Sequence, residues 1–191
     1  MAVLRRVGRY LIKHPQIRRV FQDTKVPDRI RVFVDSDHAG CAVTRKSTTG
    51  FVSRLGHSTV KHGSNLQSTT ALSSGESEYY ALVKASKEAL GLQSLLRDWG
   101  LDLPVEVSSD SSAARGHVAR RGLGKMRHIQ TRYLWVQERV GEGHIKISAV
   151  PGTRNIADTL TKCVPGTTLA KRLETAGFEM AEAHKSQRGL L

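Results

Sequence analysis

Acidic side chains recur where strands end or helices begin. Asp35 and Asp37 close the run VFVDSDHAG, Glu76 and Glu78 lie in SSGESEYYAL, Asp110 follows VEVSS, and Asp158 sits in NIADTLTK. A carboxylate at the end of a buried strand carries a desolvation cost, so its presence asks for a reason. In an open α/β sheet, strand carboxyl ends and the helix starts that follow them share one edge. Carboxylates gathered there repel one another unless cations neutralise them. Hard oxygen donors select Mg²⁺ or Mn²⁺. Two such ions a few ångströms apart can stabilise both the attacking and the leaving oxygen of a phosphodiester displacement. Each acid also has a local role open to it. Asp110 can cap a helix, Asp158 can complete a capping arrangement with Asn155, Asp35 can serve a turn, and Glu78 can complement a helix dipole.

The elements that must position these acids follow from patterning. A first strand is expected over 29–35, and GFVSRL (50–55) and STVKHGS (58–64) read as two strands around a Gly56-His57 turn. The longest helix is expected over 74–99, with Ser73 and Glu76 as a capping box and Gly100 as its stop. Leu82, Ala85, Ala89, Leu92, Leu96 and Trp99 define its buried face, and Glu78 extends that series backwards by four. Glu76 lies roughly 160–200° away round the helix and reads as the capping partner, leaving Glu78 as the acid aimed at the sheet. A strand over 103–109, a short helix over 110–120, a helix over 127–140 and a strand over 144–150 follow. Helices over 155–163 and 167–176 precede a frayed tail, EMAEAHKSQRGLL. The order β-β-β-α-β-α-α-β-α predicts an α/β chain with a mixed sheet and packed helices. Before it, VLRRVGRYLIK (3–13) is a basic amphipathic helix, joined by a proline-containing connector over 14–28.

Charge narrows the function classes. Thirty Lys+Arg against seventeen Asp+Glu give +13, which predicts a polyanionic partner, with nucleic acid ahead of a membrane. Aromatic residues are 5% of the chain, so no stacking platform for single strands is advertised. No apolar run approaches the roughly 20 residues of a membrane span, and the arginine-interrupted N-terminus argues against a signal peptide. Cys41 and Cys163 form no metal-ligand spacing and fit a reducing compartment.

Several motifs occur in a family order: DSDHAG, RKSTTGFV, ALSSGESEYYALVKASKEALGLQSLL, SSDSSAA, RHIQTRYLWVQERV and VPGTRNIADTLTK. Over residues 28–165 the chain resembles the ribonuclease H domain of copia-type retrotransposon Pol polyproteins. Residues 1–27 are similar to the end of the connection segment that follows reverse transcriptase, and 166–191 remain as a C-terminal helix and flexible tail. The resemblance implies a ribonuclease H-like fold: a mixed five-stranded sheet, three antiparallel strands first, helices on both faces. It implies catalytic and metal-binding roles for Asp35, Glu78, Asp110 and Asp158 with two Mg²⁺ or Mn²⁺ ions. The implied reaction is cleavage of the RNA strand of RNA–DNA hybrids during reverse transcription, in a cytoplasmic particle or the nucleus. The reverse transcriptase domain of the same polyprotein is the expected protein partner.

Arg45, Lys46 and Ser47, and then Arg120, Arg121, Lys125 and Arg127, are candidate phosphate contacts beside the acids. Asp37 and His128 are accessory candidates, one at the rim of the site or in a turn, the other as a helix-packing histidine. The competing reading is a non-catalytic nucleic-acid-binding or connection module of retroelement origin. A transposase or integrase core is a third, disfavoured because its last acid typically lies on a long helix.

Overall fold

The computed structural model describes residues 2–21, 26–124 and 126–180. In chain order, α1 is Ala2–Lys13, β1 Ile17–Arg19, β2 Ile30–Ser36, β3 Thr48–Leu55, β4 Ser58–Leu66 and α2 Ser74–Asp98. Then come β5 Val105–Ser109, α3 Ser112–Val118, α4 Trp135–Gly141, β6 Ile145–Ala149, α5 Gly166–Thr175 and β7 Phe178–Met180. Short 3₁₀ turns lie at Thr131–Tyr133, Gly152–Arg154 and Ile156–Leu160.

The five-stranded sheet has the order β4-β3-β2-β5-β6. Its first three strands, β2, β3 and β4, are antiparallel neighbours, whereas β5 runs parallel to β2 and β6 parallel to β5. The parallel pairing places the carboxyl ends of β2 and β5 side by side. Phe33 pairs with Ser108, so Asp35 and Asp110 each follow two residues later at one edge. Alternation on β2 divides the core. Ile30, Val32 and Val34 join Tyr79, Leu82, Ala85, Ala89 and Leu96 of α2 in the main core. Phe33 and Val52 pack on the opposite side with Ile156, Leu160, Ala176 and Phe178. Helices or turns therefore cover both faces, as burial of both sides of a central strand demands.

Asn155 and Gly50 hold the Ile156–Leu160 turn to the sheet. Asn155 is fully buried, donates from Nδ2 to the Val34 carbonyl at 2.9 Å, and accepts from the Ala157 amide at 3.2 Å. At Gly50 the turn comes so close that a Cβ would meet the Ala157 carbonyl oxygen at 2.8 Å and Leu160 Cβ at 2.9 Å. Gly50→Ala should therefore push the turn off the strand and cost about 1–3 kcal/mol. Urea denaturation measures this, and an unchanged midpoint would show that the turn is free to shift.

Three expectations are corrected. The helix expected over 127–140 forms only as α4, with Thr131–Tyr133 in a 3₁₀ turn and Gln130 extended at φ −66°, ψ 138°. Tertiary anchors override its periodicity: Ile129 is buried in the core and His128 is bonded to Glu76. The helix expected over 155–163 is the tighter 3₁₀ turn, capped by Asn155. The connector and the start of the tail also hold strands. β1 and β7 pair antiparallel, with Ile17 opposite Met180, and the Val20 amide donates to the Gly177 carbonyl at 2.9 Å. The rest of the tail, residues 181–191, lies outside the described residues. On α1, the apolar side chains Leu4, Val7, Leu11 and Ile12 are exposed. Among the described residues no helix is long and apolar enough to cross a membrane.

Candidate active site

Three carboxylates converge at the sheet edge. Asp35 comes from the end of β2, Glu78 from the first turns of α2, and Asp110 from the step between β5 and α3. Each offers an oxygen within 4.8 Å of the others. Asp35 is 1% exposed and Glu78 7%, while Asp110 is half-buried. Gly152 passes so close that a Cβ there would lie 3.0 Å from Asp110 Oδ2.

Such crowding has electrostatic consequences. Burial, with the charges of Asp35 and Asp110, pushes the Glu78 carboxyl up to about 8, against a backbone hydrogen bond at Ser36 and the Lys162 ammonium. Burial also raises Asp35, opposed by a hydrogen bond from the Thr161 hydroxyl and by Lys162. Glu78 Oε2 is buried without any hydrogen-bond partner. A buried carboxylate oxygen with no donor beside two other carboxylates is a poor arrangement for folding alone, and suits a hard cation.

Asp158 is placed differently. Lys162 Nζ lies 2.7 Å from Asp158 Oδ1 and 3.5 Å from Asp35 Oδ2, so one ammonium bridges the two acids. Arg172 of α5 donates to Asp158 Oδ2. Burial would raise Asp158, but the bonds from Lys162 and Arg172 outweigh it and hold the carboxyl below its usual range. The structure thus gathers three of the four acids and connects the fourth through Lys162. Sequence reasoning missed Arg172, which carries no local signal, and also Lys162 and Thr161, although both stand inside ADTLTK.

The other candidates divide. Asp37 accepts from the Thr48 amide and closes the loop between β2 and β3, with its carboxyl lying against Gly40. Ser47, expected as a phosphate contact, is instead 1% exposed, and its hydroxyl accepts from the Ala39 amide at 3.0 Å, so it braces the loop from within. Arg45 is exposed and Lys46 half-exposed in the same loop. Arg120, Arg121 and Arg127 are exposed after α3, and Lys125 lies outside the described residues. His128 sits in a turn instead of a helix, with Nε2 2.9 Å from Glu76 Oε2. Glu76 is itself buried, at 1% exposure. Its carboxylate accepts from the Leu72 amide at 2.9 Å and the Tyr80 hydroxyl at 2.7 Å, a reach beyond helix capping.

No family model matches the chain. A retrovirus-related Pol polyprotein from transposon TNT 1-94 of Nicotiana tabacum is 31% identical over 138 residues, 71% of this chain and 10% of that polyprotein. A second, from transposon RE2 of Arabidopsis thaliana, is 30% identical over 162 residues, 83% of this chain and 11% of that one. The chain thus spans about a tenth of the length of these relatives. Among solved structures, the N-terminal RNase H domain of rv2228c from Mycobacterium tuberculosis superposes with a TM-score of 0.52 at 17% identity, over 80% of this chain and 99% of that chain. RNase H1 from Halobacterium salinarum gives 0.50 at 21% identity, over 70% and 94%. This chain is a relative of retrotransposon Pol polyproteins with the ribonuclease H fold. In that fold the acidic cluster lies where the antiparallel and parallel halves of the sheet meet, at the ends of β2 and β5.

Proposed function

We propose that the chain is a metal-dependent endonuclease that hydrolyses the RNA strand of RNA–DNA hybrids, acting within a copia-type Pol polyprotein beside its reverse transcriptase. The observation that carries this reading is the convergence of Asp35, Glu78 and Asp110, with a Glu78 oxygen buried and unbonded. Those three would hold Mg²⁺ or Mn²⁺, with Asp158 at the rim of the same edge. Ions bound there would supply Lewis-acid stabilisation of the phosphoryl oxygens and a nucleophilic water at neutral pH.

The chain's own residues supply the rest. Thr161 fixes the orientation of Asp35, and Asn155 keeps the turn carrying Asp158 against β2. Lys162 and Arg172 set the charge around Asp158. Exposed Arg45, Arg120, Arg121 and Arg127, with half-exposed Lys46, would meet the phosphate backbone, a salt-sensitive contact that positions without reading sequence. A hybrid would be told from duplex DNA by its 2′-hydroxyls and groove shape.

The test is incubation of a labelled RNA–DNA hybrid with Mg²⁺ or Mn²⁺ beside an Asp110→Asn control. RNA-strand cleavage that the control abolishes is the expected result. Binding without cleavage under either metal would overturn it in favour of a non-catalytic nucleic-acid-binding module. That second reading draws on the ion pairs that engage Asp158 with Lys162 and Arg172.

A further inference from the structure

A cavity of about 360 Å³ opens between the end of β4, the outer flank of α2 and the turn at Tyr133. That falls within the roughly 300–1,000 Å³ of small-molecule sites. None of the four acids lines it. Two aromatic side chains form one wall, Tyr80 and Tyr133, with ring centroids 4.6 Å apart and planes tilted by 47°. The Tyr80 hydroxyl is already committed to Glu76, so its ring is what it brings to the cavity. Cations form the rim. Lys84 is paired with Glu88 at 2.7 Å, but Lys87 has no ion-pair partner among the described residues. The Arg132 guanidinium lies over the Tyr133 ring, 5.0 Å from its centroid.

Gln67 forms part of the inner wall and ties it to the sheet. It is 9% exposed and lines the cavity. Its Nε2, with two hydrogens to give, lies within hydrogen-bonding distance of the Ser77 carbonyl at 2.9 Å, Thr49 Oγ1 at 3.0 Å and Ser36 Oγ at 3.3 Å. Its Oε1 is buried with no hydrogen-bond partner. Aromatic faces take a base, and unpaired cations take a phosphate.

We propose that this cavity is a nucleotide subsite, which binds one unpaired nucleoside phosphate outside the acidic cluster. The nucleotide can arrive free or as the unpaired end of a nucleic-acid strand; the strand source rests on the nuclease reading above. Gln67 links the two places, because its amide holds Ser36 beside Asp35 and Ser77 beside Glu78.

The experiment is an amide-shift NMR titration of the full chain, without divalent ions, using adenosine 5′-monophosphate, inorganic phosphate, and blunt or single-strand-tailed hybrids. Adenosine monophosphate should give saturable shifts at Thr69, Lys87 and Tyr133, with inorganic phosphate markedly weaker. A Lys87→Ala/Arg132→Ala variant, which leaves Gln67 and the acids untouched, should weaken nucleotide binding by about tenfold or more. A tailed hybrid that outbinds a blunt one, with the advantage lost in the variant, identifies the strand as the source. Nucleotide binding without a tail advantage identifies the free nucleotide. No shifts at these amides, equal binding of bare phosphate, or an unaffected variant would overturn the subsite. Cleavage plays no part in these readouts, so the subsite and the nuclease reading stand or fall separately.

Discussion

Glu78→Gln should abolish hybrid cleavage while making the protein more stable at alkaline pH. Loss of a ligand oxygen removes part of a cation's hold on the transition state. A bound ion is worth several kcal/mol there, so the drop should be on the order of 10³-fold. The stability effect has the opposite sign because the folded site raises the Glu78 carboxyl from 4.5 to about 8. For a raised acid, the folded state holds the proton more tightly than the unfolded chain does. Stability is therefore fully present below pH 4.5, falls between 4.5 and about 8, and is fully lost above that. The interval corresponds to several kcal/mol, and Asp35, also raised, acts in the same direction. Glutamine keeps the shape and removes the charge. In divalent-free buffer, the variant's melting temperature should exceed the parent's at pH 9 and approach it at pH 5. Mg²⁺ or Mn²⁺ should raise the parent's melting temperature and leave the variant's nearly unchanged. Parallel pH–stability curves for the two proteins would refute the buried charge as their cause.

The second large effect belongs to Glu76, two residues away on the same helix and opposite in pH behaviour. Burial would raise this carboxyl, but hydrogen bonds from Tyr80, His128 and the Leu72 amide outweigh it and hold it below 4.5. A depressed acid contributes stability that is present above 4.5 and lost as pH falls through the folded-state value. Glu76→Ala strands the buried Tyr80 hydroxyl and frees His128, so it should cost about 2–4 kcal/mol at pH 7. The loss should be regional as well as global. Hydrogen exchange at the Ile129 amide, bonded to the Met126 carbonyl at 3.1 Å, should speed up more than exchange in β2. Glu76→Gln, able to keep part of the network, should fall between. Equal exchange in both regions would mean that Glu76 does not anchor the 126–133 segment.

The sequence supported these two acids unequally. Helical phase aimed Glu78 at the sheet, and a period of 3.6 needs only the residues of one helix. The same phase left Glu76 as a cap. Ser73 does accept from the Glu76 amide as a capping residue should. The buried carboxylate beyond it was illegible, because its partners lie 52 residues away at His128 and one turn on at Tyr80. The strands' sequence along the chain and the gathering of Asp35 with Asp110 at one sheet edge were readable from β-branched runs that end in acids, whereas the order of strands across the sheet was not. Two failures share one cause. The 127–140 segment looked helical by local pattern, but Ile129 and His128 are fixed by distant partners. Ser47 was expected as a phosphate contact beside two cations, but its hydroxyl is taken by a loop amide. The surroundings of Asp158 were equally hidden, because Arg172 arrives from a helix that no motif connects to it.

The pairing of β1 with β7 has a mechanical meaning. Ile17 lies opposite Met180, so the two strands enter and leave the domain at one point. Tension pulling these two positions apart would load the ladder like a zipper, one rung at a time, rather than in shear. The two-stranded clasp would yield first and pay out slack, while β2 and β5, held between neighbours on both sides, kept Asp35 and Asp110 in register.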